Sequence, residues 1–311
     1  MATFQFDVVG IGLNSVDLLC RVKEFPVFNT KSSLDDVSRQ GGGQAATAMA
    51  ALSRLEMKTA FIGVVGDDDD GFFSVSSLKA AGVNVEGIVV RPDLATQFSV
   101  IVVQSDGDDE ERGGRTILWR REVILRSEDV REDIVKSARM IHIDGHSLEA
   151  EILAAQWARE EGIPVSFDAE RVVPGVEELI SLTDYLVASE GFPSAFSGSA
   201  DPKVALKKIH SLGPRVAAMT KGPRGALAFD GERFYDSPGF PVNVVDTTGA
   251  GDVFHAGFIY GVLREFELSQ TLRFANALAA LSWRELGGRA GLCGLKEAKK
   301  LIAKFPDLKA E

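Results

Sequence analysis

Asp246-Thr247-Thr248-Gly249-Ala250-Gly251-Asp252, continued by Val253-Phe254-His255-Ala256-Gly257-Phe258, decides how this chain is read. The run is a glycine-containing turn that opens directly into an apolar-periodic helix. The backbone N–H groups of Gly249, Ala250 and Gly251 are expected to point out of the turn, at the positive end of the helix dipole, where an anion is stabilised. Small residues let a phosphate approach the backbone, and glycine tolerates the dihedrals that aim the N–H groups together. Asp252 stands beside that anion site. Phosphoryl transfer to a hydroxyl needs this pair of features: a cradle that absorbs phosphate charge, and a carboxylate that receives the hydroxyl proton. A lone Gly-x-Gly-Asp would read more simply as a capped helix start. The length of the run and the upstream cluster Gly41-Gly42-Gly43 favour the anion site.

Around this turn the chain alternates short apolar strands with helical stretches. Phe4 to Ile11, Thr59 to Val65, Met140 to Ile143, Val165 to Phe167, Tyr185 to Ala188 and Val216 to Thr220 read as strands. Ala45 to Leu55, Phe72 to Ala81, Glu149 to Glu161 and Pro202 to Leu212 read as helices. Such alternation predicts an α/β fold: parallel βαβ units in a three-layer domain with a mostly parallel sheet. Two places break the rhythm. Val16 to Ser38 has no helical period, while Gln97 to Gln104 and Arg115 to Glu122 read as two strands joined by the polar loop Ser105 to Gly114. These predict a small β element set on the α/β body, with no interdomain linker in residues 1–311.

Bulk properties narrow the function. At 311 residues the chain can bury a large core, and a net charge of −11 without a basic run argues against nucleic acid or an anionic membrane as partner. Two cysteines, Cys20 and Cys293, do not make a disulfide scaffold and suit a reducing cytosol. No secretory signal is visible from Met1 to Asp7, and no apolar run approaches the ~18 residues of a membrane span, so a cytoplasmic protein is expected. The acidic runs Asp67 to Asp70 and Asp108 to Glu111 lack calcium-loop spacing and read as solvated loops. The histidines show no zinc pattern, and His255 reads as a helix residue near the site.

Four ordered motifs carry a family resemblance. Val245 to Phe258 resembles the C-terminal signature of the ribokinase-like (PfkB-type) sugar kinases, and Gly41 to Leu52 resembles the N-terminal one. Gly63-Val64-Val65-Gly66-Asp67-Asp68, with Gly71, and Thr220-Lys221-Gly222-Pro223-Arg224-Gly225 are the other two. The resemblance spans nearly the whole chain. Within the family, Gly287-Gly288-Arg289-Ala290-Gly291 taken with the two signatures is most similar to sulfofructose kinases, and Ile141 to Gly145 resembles ketohexokinase-type fructokinases.

The resemblance implies a ribokinase-like fold whose lid comes from about residues 16–38 and 97–122. It implies MgATP as phosphoryl donor, a sugar acceptor, and a homodimer formed through the lid. An uncovered hairpin would expose strand edges, which a second lid can pair. Asp252 then accepts the hydroxyl proton beside the hole of Gly249, Ala250 and Gly251; so near a helix N-terminus, its pKa is expected to be low. Asp17 matches the sugar-binding aspartate, with Asn14 beside it, and Gly42 and Gly43 let the sugar lie on the backbone. Many members carry Asn where this chain has Thr47. Thr220, Gly222, Gly225 and Asn276 match positions around the nucleotide. An Asn-x-x-Glu element tied to magnesium is replaced by Ser189 and Phe192, with Glu190 between them as a substitute. Some members bind K+ at positions matching Asp246 and Thr248, which makes this pair a candidate cation site.

Arg112, Arg115, Arg120 and Arg121 lie in or after the lid hairpin. An arginine there, Arg120 above all, is a candidate to pair with an acidic tail on a ketose or sugar-acid substrate. A nucleoside kinase on the same fold and a catalytically silent sugar- or nucleotide-binding regulator stay open.

Overall fold

The computed structural model describes residues 4–106 and 113–308. Arg112 and the acidic run at 108–111 therefore lie outside the described residues. In chain order, β1 (Phe6–Ile11), β2 (Ser15–Val22) and β3 (Asp36–Gly42) precede α1 (Gln44–Arg54). There follow β4 (Thr59–Gly66), α2 (Asp69–Ala80), β5 (Asn84–Arg91), β6 (Phe98–Gln104) and β7 (Arg115–Arg120). Next come α3 (Glu132–Val135), β8 (Ala138–Ile143), α4 (Leu148–Glu160), β9 (Val165–Ala169), α5 (Val176–Ser181) and β10 (Tyr185–Ala188). The chain continues with α6 (Phe192–Ser197), α7 (Pro202–His210), β11 (Val216–Thr220), β12 (Ala226–Phe229) and β13 (Phe234–Ser237), then α8 (Ala250–Leu263), α9 (Leu268–Ser282) and α10 (Leu295–Lys304).

A nine-stranded sheet runs β13-β12-β11-β10-β9-β8-β1-β4-β5. From β11 to β5 all pairings are parallel, and antiparallel β12 and β13 close one edge. Strand periodicity sends neighbouring residues to opposite faces. Val8 and Met140 pack with Met49, Leu52 and Ile259 on one face. Val9 and Ile141 pack with Ala154, Leu179 and Leu206 on the other. Helices thus cover both faces, and β4 is buried at every residue, as parallel strands between two layers must be. This is the expected αβα architecture, although β5, β12 and β13 were not legible beforehand.

A second sheet runs β3-β2-β6-β7, built from the segments expected to form the small β element, with β3 running on to Gly42. One expectation about loops is corrected here. Asp68 is not solvated loop: it caps α2 by accepting from the Gly71 N–H at 2.7 Å, and it takes the Thr96 N–H at 2.8 Å. Within the main sheet, β1 lies between β8 and β4. The chain leaves β1 toward β4 and later returns to β8 on the other side. Loops at the carboxyl ends of β1 and β8 therefore diverge and leave a crevice. Among the described residues no helix is long and apolar enough to cross a membrane.

Candidate active site

A cavity of about 1020 Å³ opens at those carboxyl ends. Leu13, His146, Asp168, Ser189 and Thr220 line it from the main sheet, Ser99, Ile117 and Trp119 from the smaller sheet, and Gly249 to Asp252 from the start of α8. Single-ligand pockets occupy roughly 300–1,000 Å³, so there is room for two substrates side by side.

Gly249 is the N-cap of α8 with φ 72°, a left-handed conformation that costs a side chain dearly, and a Cβ there would collide with Gly288. Asp246 braces the turn. Its Oδ1 accepts from the Thr248 N–H and hydroxyl, both at 2.8 Å, and its Oδ2 accepts from the Gly287 N–H at 2.8 Å. The expected cradle needs one correction. The Ala250 N–H folds back onto the Thr247 carbonyl at 3.3 Å. In this turn the N–H groups of Gly249, Gly251 and Asp252 have no acceptor among the described residues, because a helix leaves its first-turn donors unpaired. Gly251 faces open space, so an anion can reach them.

The Asp252 carboxylate makes no hydrogen bond within the described residues and lines the cavity with Asp17 and Asp168. Its acidity corrects the sequence expectation. Burial, with Asp168, Glu170 and Asp17 as like charges nearby, holds its carboxyl well above the usual range, and Arg115 only partly opposes this. The helix N-terminus expected to lower it is outweighed by three carboxylates brought in from other elements. Asp17 is also raised by burial, against the hydroxyl of Ser15 and the charge of Arg289.

Arg289, within the Gly287-Gly288-Arg289-Ala290-Gly291 motif, reaches the site, although nothing in its local sequence marks it for that. Its guanidinium donates to the Gly42 carbonyl at 2.7 Å, the Thr47 hydroxyl at 3.2 Å and the Ser77 hydroxyl at 3.3 Å. Burial brings it down to about 10, against the pull of Asp17 and Asp252. Arg289 therefore stitches the glycine triplet to the C-terminal segment. Thr47 is spent on that contact and does not line the cavity. Asn14 likewise is buried, accepting from Ser74 at 2.6 Å, and is absent from the cavity wall. Gly43 does line it, whereas Gly42 makes way for Asp17, whose carboxylate a Cβ at Gly42 would strike.

Strand parity decides the arginines. Arg115, Ile117, Trp119 and Arg121 line the cavity along β7 and just beyond it. Arg120 is on the opposite face, 61% exposed and 3.6 Å from Glu122, so it is not a wall residue. Arg115 reaches the turn before α8, donating to the Thr247 hydroxyl at 2.8 Å.

At the other end, Thr220, Gly222, Gly225 and Asn276 all line the cavity. Asn276 is held by the Ser237 carbonyl and hydroxyl, each at 3.0 Å, so it fastens the strand end above it. Glu190 is ion-paired with Arg224, and Phe192 is buried against Phe196. Phe192 offers no ligand, whereas Glu190 lines the cavity, and among the described residues no cluster of three or more His, Cys, Asp and Glu is placed to hold a metal ion. The side chains of Asp246 and Thr248, the candidate cation pair, bond to each other and to the Gly287 N–H.

A crevice at a strand-order reversal, an open helix N-terminus and a free carboxylate define a phosphotransferase of the ribokinase-like class. Residues 5–292 match the family model for pfkB family carbohydrate kinases, and the chain belongs to that family. An ATP-dependent ribose-1-phosphate kinase of Halopiger xanaduensis is 30% identical over 285 residues, covering 91% of this chain and 94% of the relative. A nucleoside kinase of Methanothermobacter thermautotrophicus is 24% identical over 299 residues, covering 94% of each. Among solved structures, Arabidopsis thaliana ribokinase complexed with ribose and ATP superposes with a TM-score of 0.79 at 25% identity, covering 96% of this chain and 98% of that one.

Proposed function

We propose that this kinase transfers the γ-phosphoryl group of ATP to a hydroxyl of a small sugar, with Asp252 as the proton acceptor. The observation that supports it best is the unpaired Asp252 carboxylate in the first turn of α8, beside the unsatisfied N–H groups of Gly249, Gly251 and Asp252. The acceptor hydroxyl gives its proton to Asp252 as its oxygen bonds to the γ-phosphorus. The bond from that phosphorus to the bridging oxygen breaks, and ADP leaves. The backbone N–H groups stabilise charge that develops in transit. A raised pKa makes Asp252 a stronger base than an ordinary aspartate.

Asp17 orients the sugar from the smaller sheet, which acts as a lid, and Thr220 to Gly225 with Asn276 frame the nucleotide. Mg²⁺ enters as the counter-ion of ATP, with Glu190 on the cavity wall at the nucleotide end. K+ at Asp246 and Thr248 is tested by exchanging K+ for Na+: a lower rate in Na+ supports the site, and an unchanged rate removes it. A relative named for ribose 1-phosphate and a ribose-bound neighbour support a pentose-sized acceptor, beside the ketose, sugar acid or sulfofructose that the motifs suggest. A nucleoside is the second reading, favoured by Trp119 and Ile117 on the cavity face of the lid and by the nucleoside kinase relative. Both lid edges, β3 and β7, are unpaired, and Val37 and Leu118 are exposed at 51% and 61%. A second copy pairing there gives a homodimer.

ADP release from MgATP tests this. The panel holds neutral ketoses and pentoses, sugar acids, sulfofructose, sugar phosphates and nucleosides, with Asp252→Asn as blank. One substrate far above the blank is expected. Ligand binding with no ADP release from any of them would favour a silent regulator.

A further inference from the structure

We infer that Arg121, Arg171 and His146 form a receptor for a phosphate group carried by the sugar acceptor, distinct from the ATP phosphates. The inference rests on the sugar-kinase reading and names the class of acceptor.

Three separate elements deliver these side chains. Arg121 follows β7, His146 follows β8 and Arg171 follows β9, and all line the cavity. Arg121 Nη1 lies 3.1 Å from His146 Nδ1, and Arg171 Nη2 lies 2.8 Å from the same atom. The other imidazole nitrogen, Nε2, faces the Gln44 amide oxygen and so must carry the proton. His146 is therefore neutral, and its single Nδ1 lone pair is approached by two guanidinium groups. One lone pair does not satisfy two such donors. Arg121 also donates to the Gln97 side-chain oxygen and lies over the Trp119 ring, 5.4 Å from its centroid, and Arg171 has no other hydrogen-bond partner among the described residues.

The missing partner is a carboxylate. Neither arginine has one within 4.0 Å among the described residues, in a chain of net charge −11. Glu170 stands 3.9 Å from His146 Nε2, and Asp144 accepts the His146 N–H at 3.2 Å, yet neither carboxylate lies within 4.0 Å of either guanidinium. At the nucleotide end the same cavity wall pairs its cations fully: Lys221 lies 2.6 Å from Asp236, and Arg224 is bonded to Glu190. Two adjacent guanidinium charges that no carboxylate contacts directly repel each other, and an anion between them reduces that cost. Their approach from different elements to one point suits a tetrahedral oxyanion with several acceptor oxygens. A carboxylate is served by one guanidinium in a planar, bidentate pair.

Calorimetry on the full chain without nucleotide tests the receptor. The probes are ribose 1-phosphate, ribose 5-phosphate, fructose 1-phosphate and fructose 6-phosphate, each against its parent sugar, with ketodeoxygluconate and sulfofructose as other acids. At least one phosphate should bind about 10- to 100-fold more tightly than its parent, the range for charge-assisted hydrogen bonds. Arg121→Gln and Arg171→Gln should each abolish that preference and leave the parent sugar within about twofold, and Arg120→Gln, on the opposite face, should change neither. The inference falls if no phosphate outbinds its parent, if the Gln variants weaken phosphate and parent alike, or if only the carboxylate or sulfonate sugar depends on the two arginines. Failure of the kinase reading looks different: no ADP release from any acceptor, whatever calorimetry shows.

Discussion

His255 Nε2 lies 3.1 Å from Asp168 Oδ1, and both residues are almost fully enclosed. His255 is three residues along α8 from Asp252, on the same side of the helix. Its partner Asp168 is thereby brought beneath the proposed base. Burial pushes Asp168 up, but its pairing with His255 outweighs this and holds the carboxyl below its ordinary value. An ionised Asp168 in turn helps to raise Asp252. His255→Phe should therefore release Asp168 upward, weaken the repulsion at Asp252 and move the acid limb of kcat/KM to lower pH. Stability should fall by about 3–5 kcal/mol, the usual cost of leaving one member of a buried pair alone. His255→Asn, which can still donate to Asp168, should do less. An unmoved acid limb in the Phe variant would break this link.

Asp252→Asn should lower kcat by about 10²- to 10⁴-fold, the usual contribution of a positioned base, while ATP binding persists. It should also stabilise the fold at neutral pH. The folded pKa of Asp252 is raised, so the group favours folding only while protonated, and this contribution is lost as pH rises through the folded value. The Asn variant should melt above the parent at pH 8, with the gap closing toward pH 4. Equal melting temperatures across that range would falsify the electrostatic picture.

Glu151 gives a stability test away from the chemistry. Its oxygens accept from the Gly145 N–H at 2.7 Å and the Ser147 N–H at 3.1 Å, which anchors the loop bearing His146. Burial and the adjacent Asp144 hold its carboxyl well above the usual range. By the same sign, the protein should lose stability with rising pH through the Glu151 pKa. Glu151→Gln should flatten that loss, whereas Glu151→Ala should cost about 1–3 kcal/mol at every pH from orphaned N–H groups. Parallel pH profiles for wild type and Gln would count against the assignment.

Asp246→Asn should loosen the turn before α8. An amide in place of the carboxylate keeps one acceptor oxygen and turns the other position into a donor facing Thr248 or Gly287. We expect a loss of about 1–3 kcal/mol in stability with kcat reduced more than KM changes. A rise in KM alone, with full kcat, would argue that the turn positions substrate rather than the transferring group.

Leu118→Asp should keep the protein monomeric by placing a charge on the outward lid face. Light scattering of wild type and variant decides this, and identical masses would remove the lid as the dimer contact.

Much of this molecule was legible from local pattern. The turn before α8, the glycine triplet and the strand–helix alternation depend on neighbours in sequence, because glycine dihedrals, helix dipoles and side-chain periodicity are short-range. Tertiary structure decided which groups meet. Arg121 rather than Arg120 faces the cavity because pairing with β6 sets which residues of β7 point inward. Asp252 is a raised rather than a depressed acid because Asp168, Glu170 and Asp17 arrive from other elements and outweigh the helix dipole. Thr47 and Asn14 stand at positions that the family resemblance ties to the sugar, yet Arg289 and Ser74 bond to them. Charge and hydrogen bonding act through space, and in this chain the partners are separated by tens to hundreds of residues, for instance 25 between Arg121 and His146 and 242 between Thr47 and Arg289.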